Sequence, residues 1–500
     1  MSALGAALRE HAARTPGHPA LADHRQVLSY RDLAARVLAA SGRLHEVDIR
    51  CLGLLADNGP AWVLADLAAH VSGIPLVPLP LFFSPGQIRH ALDDSGVDAL
   101  LTDQPDAILA LLAQVGITAT ALTRIESLTL LRLTGPDRPL RSLPAGTAKV
   151  TYTSGTTGEP KGVCLSRAHM ETVTRSLVDA TNAGSTDHHL CLTPLSTLLE
   201  NLGGVHAPML AGATCHVLPL ADVGLSGATG LQVSRMLQAL IDTAATSAIL
   251  APQMLSALLA AIEHGMPAPS TLRFVAVGGA RVSRHLLERA ALAGLPVFEG
   301  YGLSECASVV TLNAPGNARP GSQGRPLPHA RISIAADGEV LIEGGLFLGY
   351  LGQPAAHSPW RTGDLGHFDA DGFLHLRGRR KNLFITSFGR NVAPEWVESE
   401  LTAQPAIAQA AVFGEARPFN VAVITPMPGA DRERVAAAIA DANARLPDYA
   451  RVSQWVPASV PFSLANRQVT ANGRLKRDAI HAAYEAPIES FYEEILNDVL

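Results

Sequence analysis

Charge is scarce in this chain of 500 residues: Asp, Glu, Lys and Arg together make up 17% of it, against 47% hydrophobic residues. That balance excludes a disordered protein and supports a large buried core. No long lysine/arginine block appears and the formal net charge is -6, which argues against the electrostatic footprint of a nucleic-acid binder. Cysteine is sparse: Cys51, Cys164, Cys191, Cys215 and Cys306 are scattered, odd in number and without a Cys-x-x-Cys pair. Neither a disulfide framework nor a zinc site follows from that pattern, and a reduced compartment suits it. Arg9, Glu10, His11 and Arg14 stand where a secretory signal needs an apolar run. The most apolar stretch, 51–83, is broken by Asp57, Asn58, Asp66 and His70, so it does not read as a membrane span. The expectation is a cytoplasmic protein without an integral membrane segment.

What is present alternates. Short apolar runs at 51–55, 76–78 and 99–102 are separated by helical patterns at 60–71 and 85–94. The rhythm returns with strands at 189–192, 214–218, 248–250, 272–277 and 297–299 and helices at 168–179, 233–243 and 283–293. Strands alternating with helices predict open, largely parallel sheets covered on both faces, here as two α/β lobes. After Tyr301 glycine and proline rise, and 331–334 and 339–342 alternate like a compact β region. A basic stretch from Arg377 to Lys381 follows. Beyond it, strands at 383–385, 410–413 and 421–425 with helices at 394–401 and 431–446 predict a smaller α+β unit. The fold expected is a large α/β N-terminal domain (two open lobes plus a small β region, 1–380) and a smaller mobile α+β C-terminal domain (381–500).

One stretch carries chemistry on its face. Tyr152, Thr153, Ser154, Gly155, Thr156, Thr157, Gly158, Glu159, Pro160, Lys161 and Gly162 combine hydroxyls, tight-turning glycines and a lysine. Glycines bring backbone N–H groups close to an anion, and hydroxyls and the lysine add donors and a point charge. This is a phosphate cradle at a spacing that differs from the Walker loop. It resembles the phosphate loop of the adenylate-forming enzymes, which include acyl-CoA synthetases, luciferase-like ligases and the adenylation domains of peptide synthetases. The resemblance extends from Leu28 to Lys476 and is nearest to fatty acyl-CoA ligases.

The resemblance implies roles for further residues. Glu299, Gly300, Tyr301, Gly302, Leu303, Ser304 and Glu305 set two carboxylates about a Gly-Tyr-Gly turn; the tyrosine would pack on adenine and Glu305 would bind Mg2+, for which one carboxylate suffices beside a triphosphate. Gly278, Gly279 and Ala280 resemble the small-residue turn along the acyl-adenylate pocket. Arg361, Thr362, Gly363 and Asp364 resemble the ribose site, where an aspartate after a tight glycine turn accepts from both hydroxyls. Arg379 would reach ribose or phosphate, and Lys381 would be the hinge. Residues 388–395, from Phe388 and Gly389 onward, resemble the strand lining the pantetheine tunnel, with Phe388 where many relatives have glycine. The region from Pro194 to Gly204 resembles an acyl gate with Thr197 at the gating place. No aspartate there pairs an amino group, so an unsubstituted fatty or aryl acid is expected. The histidines His188, His189, His206 and His216 read as structural.

The family's catalytic lysine follows a glycine near the chain end. Here Gly473 is followed by Arg474, with Lys476 two residues on, on the same face of an extended segment, so either residue could serve. The implied reaction is acid plus ATP to acyl-AMP and pyrophosphate, followed by capture on a phosphopantetheine thiol after the small domain turns about Lys381. That thiol belongs to coenzyme A or to an acyl carrier protein. A degenerate nucleotide or acyl-adenylate binder and a luciferase-like oxidase are the rival readings.

Overall fold

The computed structural model describes residues 2–134, 142–153, 160–226, 230–470 and 473–499. Two open sheets organise the long N-terminal part. Across the first, the strands run Gly349–Tyr350, Lys161–Ser166, Thr147–Thr153, Leu76–Pro78, Leu52–Leu55, Ala99–Thr102, Leu128–Thr134 and Thr118–Ile125. Its centre is parallel, with Leu52–Leu55 between Leu76–Pro78 and Ala99–Thr102. All four residues of Leu52–Leu55 are buried, the unbroken apolar run that a strand covered on both faces requires. The helices between strands begin where sequence chemistry says they should. Ser29 and Asp32 form a capping box for Tyr30–Glu46, Ser84 and Gln87 another for Pro85–Asp94, and Gly73 ends Pro60–Ser72 in the left-handed region.

The second sheet runs Arg325–Pro326, Ser308–Leu312, Val297–Leu303, Phe274–Val277, Ser247–Leu250, His188–Leu190, Thr214–His216, Pro19–Ala22 and Val27–Ser29. The expected strands of both lobes fall in these sheets within a few residues. The stretch Glu299 to Leu303 differs. It is not a turn but the end of the strand Val297–Leu303, which pairs antiparallel with Ser308–Leu312 through a bulge between Tyr301 and Gly302. The glycine is what permits this: a Cβ on Gly302 would fall 1.6 Å from the Ser308 carbonyl oxygen. Thr362, Gly363 and Asp364 likewise lie inside the strand Trp360–Phe368, where Gly363 takes a φ of +74° and shifts the register.

The β region is an antiparallel sheet of Arg331–Ile334, Glu339–Glu343, Trp360–Phe368 and Leu374–Arg379. Beyond it a separate hydrophobic cluster is built on Ile407–Phe413, Asn420–Pro426 and Val452–Pro457 with the helices Pro394–Thr402 and Arg432–Asn443. Among the described residues no helix is long and apolar enough to cross a membrane.

Candidate active site

Side chains from two neighbouring strands converge on Asp364. Tyr301, from the second lobe, donates its hydroxyl to Asp364 Oδ2 at 2.7 Å; Arg379, leaving the β region, places Nε 2.9 Å from Oδ1. Burial pushes the Asp364 carboxyl up, and Arg379, the Tyr301 hydroxyl and Arg474 counter it. A buried carboxyl held by an N–H and an O–H donor is fixed in direction.

Glu305 follows Tyr301 on a short helical turn, Ser304–Cys306, and is half-buried. Its Oε1 accepts the Tyr350 hydroxyl at 2.6 Å, and the Phe347 N–H donates to its backbone carbonyl. Tyr350 packs edge-on against Phe347, which packs the same way on Trp360. Lys161 Nζ lies 5.4 Å from the Tyr350 ring centre. Lys161 opens the strand after the phosphate loop and pairs with Thr153 at the end of the strand before it. Ser154, Gly155, Thr156 and Thr157 lie outside the described residues. Tyr350 was not foreseen; its signal is the Gly349-Tyr350 pair that ends a glycine-rich run opposite the loop's exit strand.

Arg474 reaches this cluster from the small domain. The Thr470 N–H donates to the Arg474 carbonyl at 2.7 Å, the Arg474 N–H donates back to Thr470 Oγ1, and Gly473 has a φ of +73°. The turn points the arginine at the charges of the larger domain. Solvent still touches its outer side, while crowding by protein atoms and then Arg379 depress its pKa, against Asp364, Glu305 and Tyr301, which raise it. Lys476 instead follows the bridge at Leu475 and donates its backbone N–H to Gln468. Arg474, the arginine in the lysine's slot, lies close enough to Asp364 and Glu305 for their charges to act on it. Lys381 sits at the edge of the same field: burial, Arg379 and Arg474 lower its pKa, and Glu395 and Asp478 oppose them.

Other expected site residues are placed differently. Glu299 is turned inward, 4% exposed, with Oε2 accepting the Gly321 N–H at 3.0 Å, and burial pushes its carboxyl up to about 7. Gly279 has a φ of +82° and nothing within 4 Å of a notional Cβ, so open space adjoins Gly278 and Ala280. Gly300 packs against Leu312, and Ser304 is half-buried beside Glu305. Thr197 donates its hydroxyl to the Pro194 carbonyl at 2.7 Å. Gly389, with a φ of +71°, and the 76% exposed Phe388 stand on an open loop of the small domain.

Behind the site lies a charged network with no sequence signal. Lys149, on the strand that enters the phosphate loop, is 2% exposed and binds Asp66 Oδ1 at 2.6 Å as well as Asn201 Oδ1. Asp66 Oδ2 also takes His206 Nε2 at 2.7 Å and the Asn201 amide at 3.0 Å. Burial alone would raise the Asp66 pKa, but Lys149 and His206 hold it far below the usual carboxylate range. Asn201 and His206 belong to a π-helical segment, Glu200–His206. Pro208 accounts for its geometry: it has no N–H for the Gly204 carbonyl, and its ring would strike that carbonyl in a regular helix. The Gly204 oxygen is taken by the thiols of Cys191 and Cys215 instead, at 3.6 and 3.1 Å. Among the described residues His189, Cys191 and Glu200 form a group close enough to hold a metal. Its atoms are already used: Glu200 takes His189 Nε2 and both Thr193 donors, and His189 Nδ1 meets Ser247.

Comparison with known proteins shows the family to which this cluster belongs. The chain belongs to the AMP-binding enzyme family, whose model matches residues 8–351, with the AMP-binding enzyme C-terminal domain matching 381–496. It is 27% identical to a long-chain-fatty-acid–CoA ligase of Mycobacterium bovis over 87% of this chain and 86% of that one. It is also 27% identical to a feruloyl-CoA synthase of an Amycolatopsis species, over 91% and 94%. Among solved structures, the o-succinylbenzoate coenzyme A synthetase of Bacillus subtilis, in complex with ATP and magnesium ion, superposes with a TM-score of 0.73 at 25% identity, covering 94% of this chain and 98% of that one.

Proposed function

We propose that this enzyme is an AMP-forming acid–thiol ligase. It joins a fatty or aryl carboxylic acid to ATP, releases pyrophosphate, and passes the acyl group of the acyl-AMP to the thiol of coenzyme A. The observation that carries the reading is the bonded cluster of Tyr301, Asp364 and Arg379, with Glu305 held by Tyr350 and with Arg474, from the other side of a domain division we place between residues 380 and 381, within reach of its charges.

Attack of a carboxylate on the α-phosphorus builds negative charge on its oxygens and on the departing pyrophosphate. Arg474 and Arg379 face that charge with fixed donors, and Lys161 with the phosphate loop holds the leaving group. Asp364 orients the ribose and Tyr301 backs the base. Glu305 suits a magnesium ion: it is half-buried, one oxygen is fixed by Tyr350, and a hard cation beside a polyphosphate needs only one or two protein carboxylates. When bound there, the ion would neutralise phosphate charge. Gly278, Gly279 and Thr197 border the acid, and Gly389 with Phe388 reaches the thiol once the small domain has turned about Lys381. We place the enzyme in the cytoplasm, where its buried cysteines stay reduced.

The test is pyrophosphate release with ATP and magnesium across fatty, aryl and amino acids, with coenzyme A, with a holo acyl carrier protein, or with neither. Release is expected with fatty or aryl acids and turnover with coenzyme A. Turnover with the carrier protein alone would move the acceptor, and no acid-dependent release would leave a nucleotide-binding protein.

A further inference from the structure

Arg474 does its work only if the small domain sits where it does, and the contacts that hold it there lie away from the nucleotide site. On the larger domain the helix Arg284–Leu292 faces the small domain's first helix, Pro394–Thr402. Arg289 donates Nη1 to the Ala403 carbonyl at 2.9 Å, capping the exit of that helix, while Nε and Nη2 grip both oxygens of Glu263 at 2.8 and 2.7 Å. Its side chain is 10% exposed. Ala403 is itself packed into the hydrophobic cluster of the second lobe, beside Leu286, Leu287 and Ala290. Arg281 forms a second contact. It lies over the Trp396 ring at 5.8 Å, donates to the carbonyls of Leu376 and Arg377, and has Glu400 and Glu395 of the small domain in its field.

The contact continues to Arg474 through bonded groups. Glu398, on the same helix as Trp396 and Glu400, receives both guanidinium nitrogens of Arg477, and the Val412 N–H donates to its Oε1 at 2.8 Å. Arg477 begins the last helix, three residues after Arg474. From Arg289 to Arg474 the path is therefore one helix and one bidentate ion pair, both stiff on the scale of a side chain.

We propose that Arg281 and Arg289 are positioning residues that latch the small domain in the orientation for acyl-AMP formation, and that they serve this half-reaction alone. The inference rests on the ligase reading, because only a two-step enzyme needs the latch to release. Thioester formation calls for a different orientation of the small domain, so weakening the latch spares or speeds it.

Arg289→Gln, Arg281→Gln and the double variant test this, with Arg289→Lys as the conservative control. Acid-dependent ATP–pyrophosphate exchange is measured with decanoate and benzoate; thioester formation is measured from decanoyl- and benzoyl-adenylate plus coenzyme A. The double variant is expected to lose at least tenfold in exchange kcat with an unchanged KM for ATP, and to keep or raise the thioester rate, with Arg289→Lys in between. Spin labels at Leu38→Cys and Met427→Cys, which are exposed while the native cysteines are buried, read the domain orientation without catalysis. The distance distribution is expected to broaden in the double variant. An unchanged distribution, or equal loss in both half-reactions, would overturn the latch. If the wild type shows no exchange, the ligase reading falls and the distance measurement still decides on the latch.

Discussion

Arg474 stands where the resemblance implies a catalytic lysine. A lysine there would be a mobile point charge; an arginine keeps its charge when crowded and presents two parallel donors to phosphate or carboxylate oxygens. Arg474→Ala is expected to lower acid-dependent pyrophosphate release by about 10²–10³-fold, the range for removing a donor aimed at developing charge. Lys476→Ala should stay within about threefold, the change expected when no charge-directed donor is lost; equal losses from the two would contradict the assignment. From sequence alone the two cations were equivalent, since both lie on one face of the segment. What the structure adds is that Arg474 lies close enough to Asp364 and Glu305 for their charges to act on it. Glu299 gives a second test. Its folded pKa, about 7, lies above the ordinary 4.5, so the folded state holds the proton more tightly. Its contribution to stability is complete below pH 4.5 and is lost as pH rises through 7. Glu299→Gln should remove that slope from a plot of unfolding free energy against pH, a difference on the order of 3 kcal/mol across the window. Parallel curves would show that Glu299 is not the buried acid described.

The elements were the most legible part of the chain. Parallel strands such as Leu52–Leu55 advertise themselves as unbroken apolar runs, and Ser29 and Ser84 mark helix starts. The π-helical segment Glu200–His206 was not legible, because its cause is distributed. Pro208 forbids the regular helix, while Asp66 and Lys149, which bind its side chains, stand 135 and 52 residues from Asn201. This network ties the strand Thr147–Thr153 to the segment that follows Thr197. Replacing Lys149 with Met would strand the Asp66 charge in the interior, and urea denaturation should show a loss of about 3–5 kcal/mol. A loss under about 1 kcal/mol would mean that His206 takes up the charge unaided.

At the scale of the whole molecule the sequence pointed to a large and a smaller C-terminal body, with a hinge expected at Lys381, but not to how they touch. Glu305 and Asp364 could be singled out because each sits in a motif whose chemistry suits the role expected of it, and the loop at 152–162 likewise, although 154–159 lie outside the described residues. Contacts such as Arg289 on Ala403 carry no motif; they arise from the packing of one domain on the other. The domain arrangement has a direct chemical consequence. If Arg474 serves acyl-AMP formation as proposed, the enzyme should stop at that intermediate when no thiol is supplied. The most direct measurement is therefore a single turnover of the enzyme with ATP, magnesium and decanoate or benzoate, without coenzyme A, quenched and resolved by mass spectrometry. The expected result is one acyl-AMP held per enzyme with one pyrophosphate released, and conversion to acyl-CoA and AMP when coenzyme A is added. ADP and phosphate as products, or the same nucleotide products with and without the acid, would contradict it.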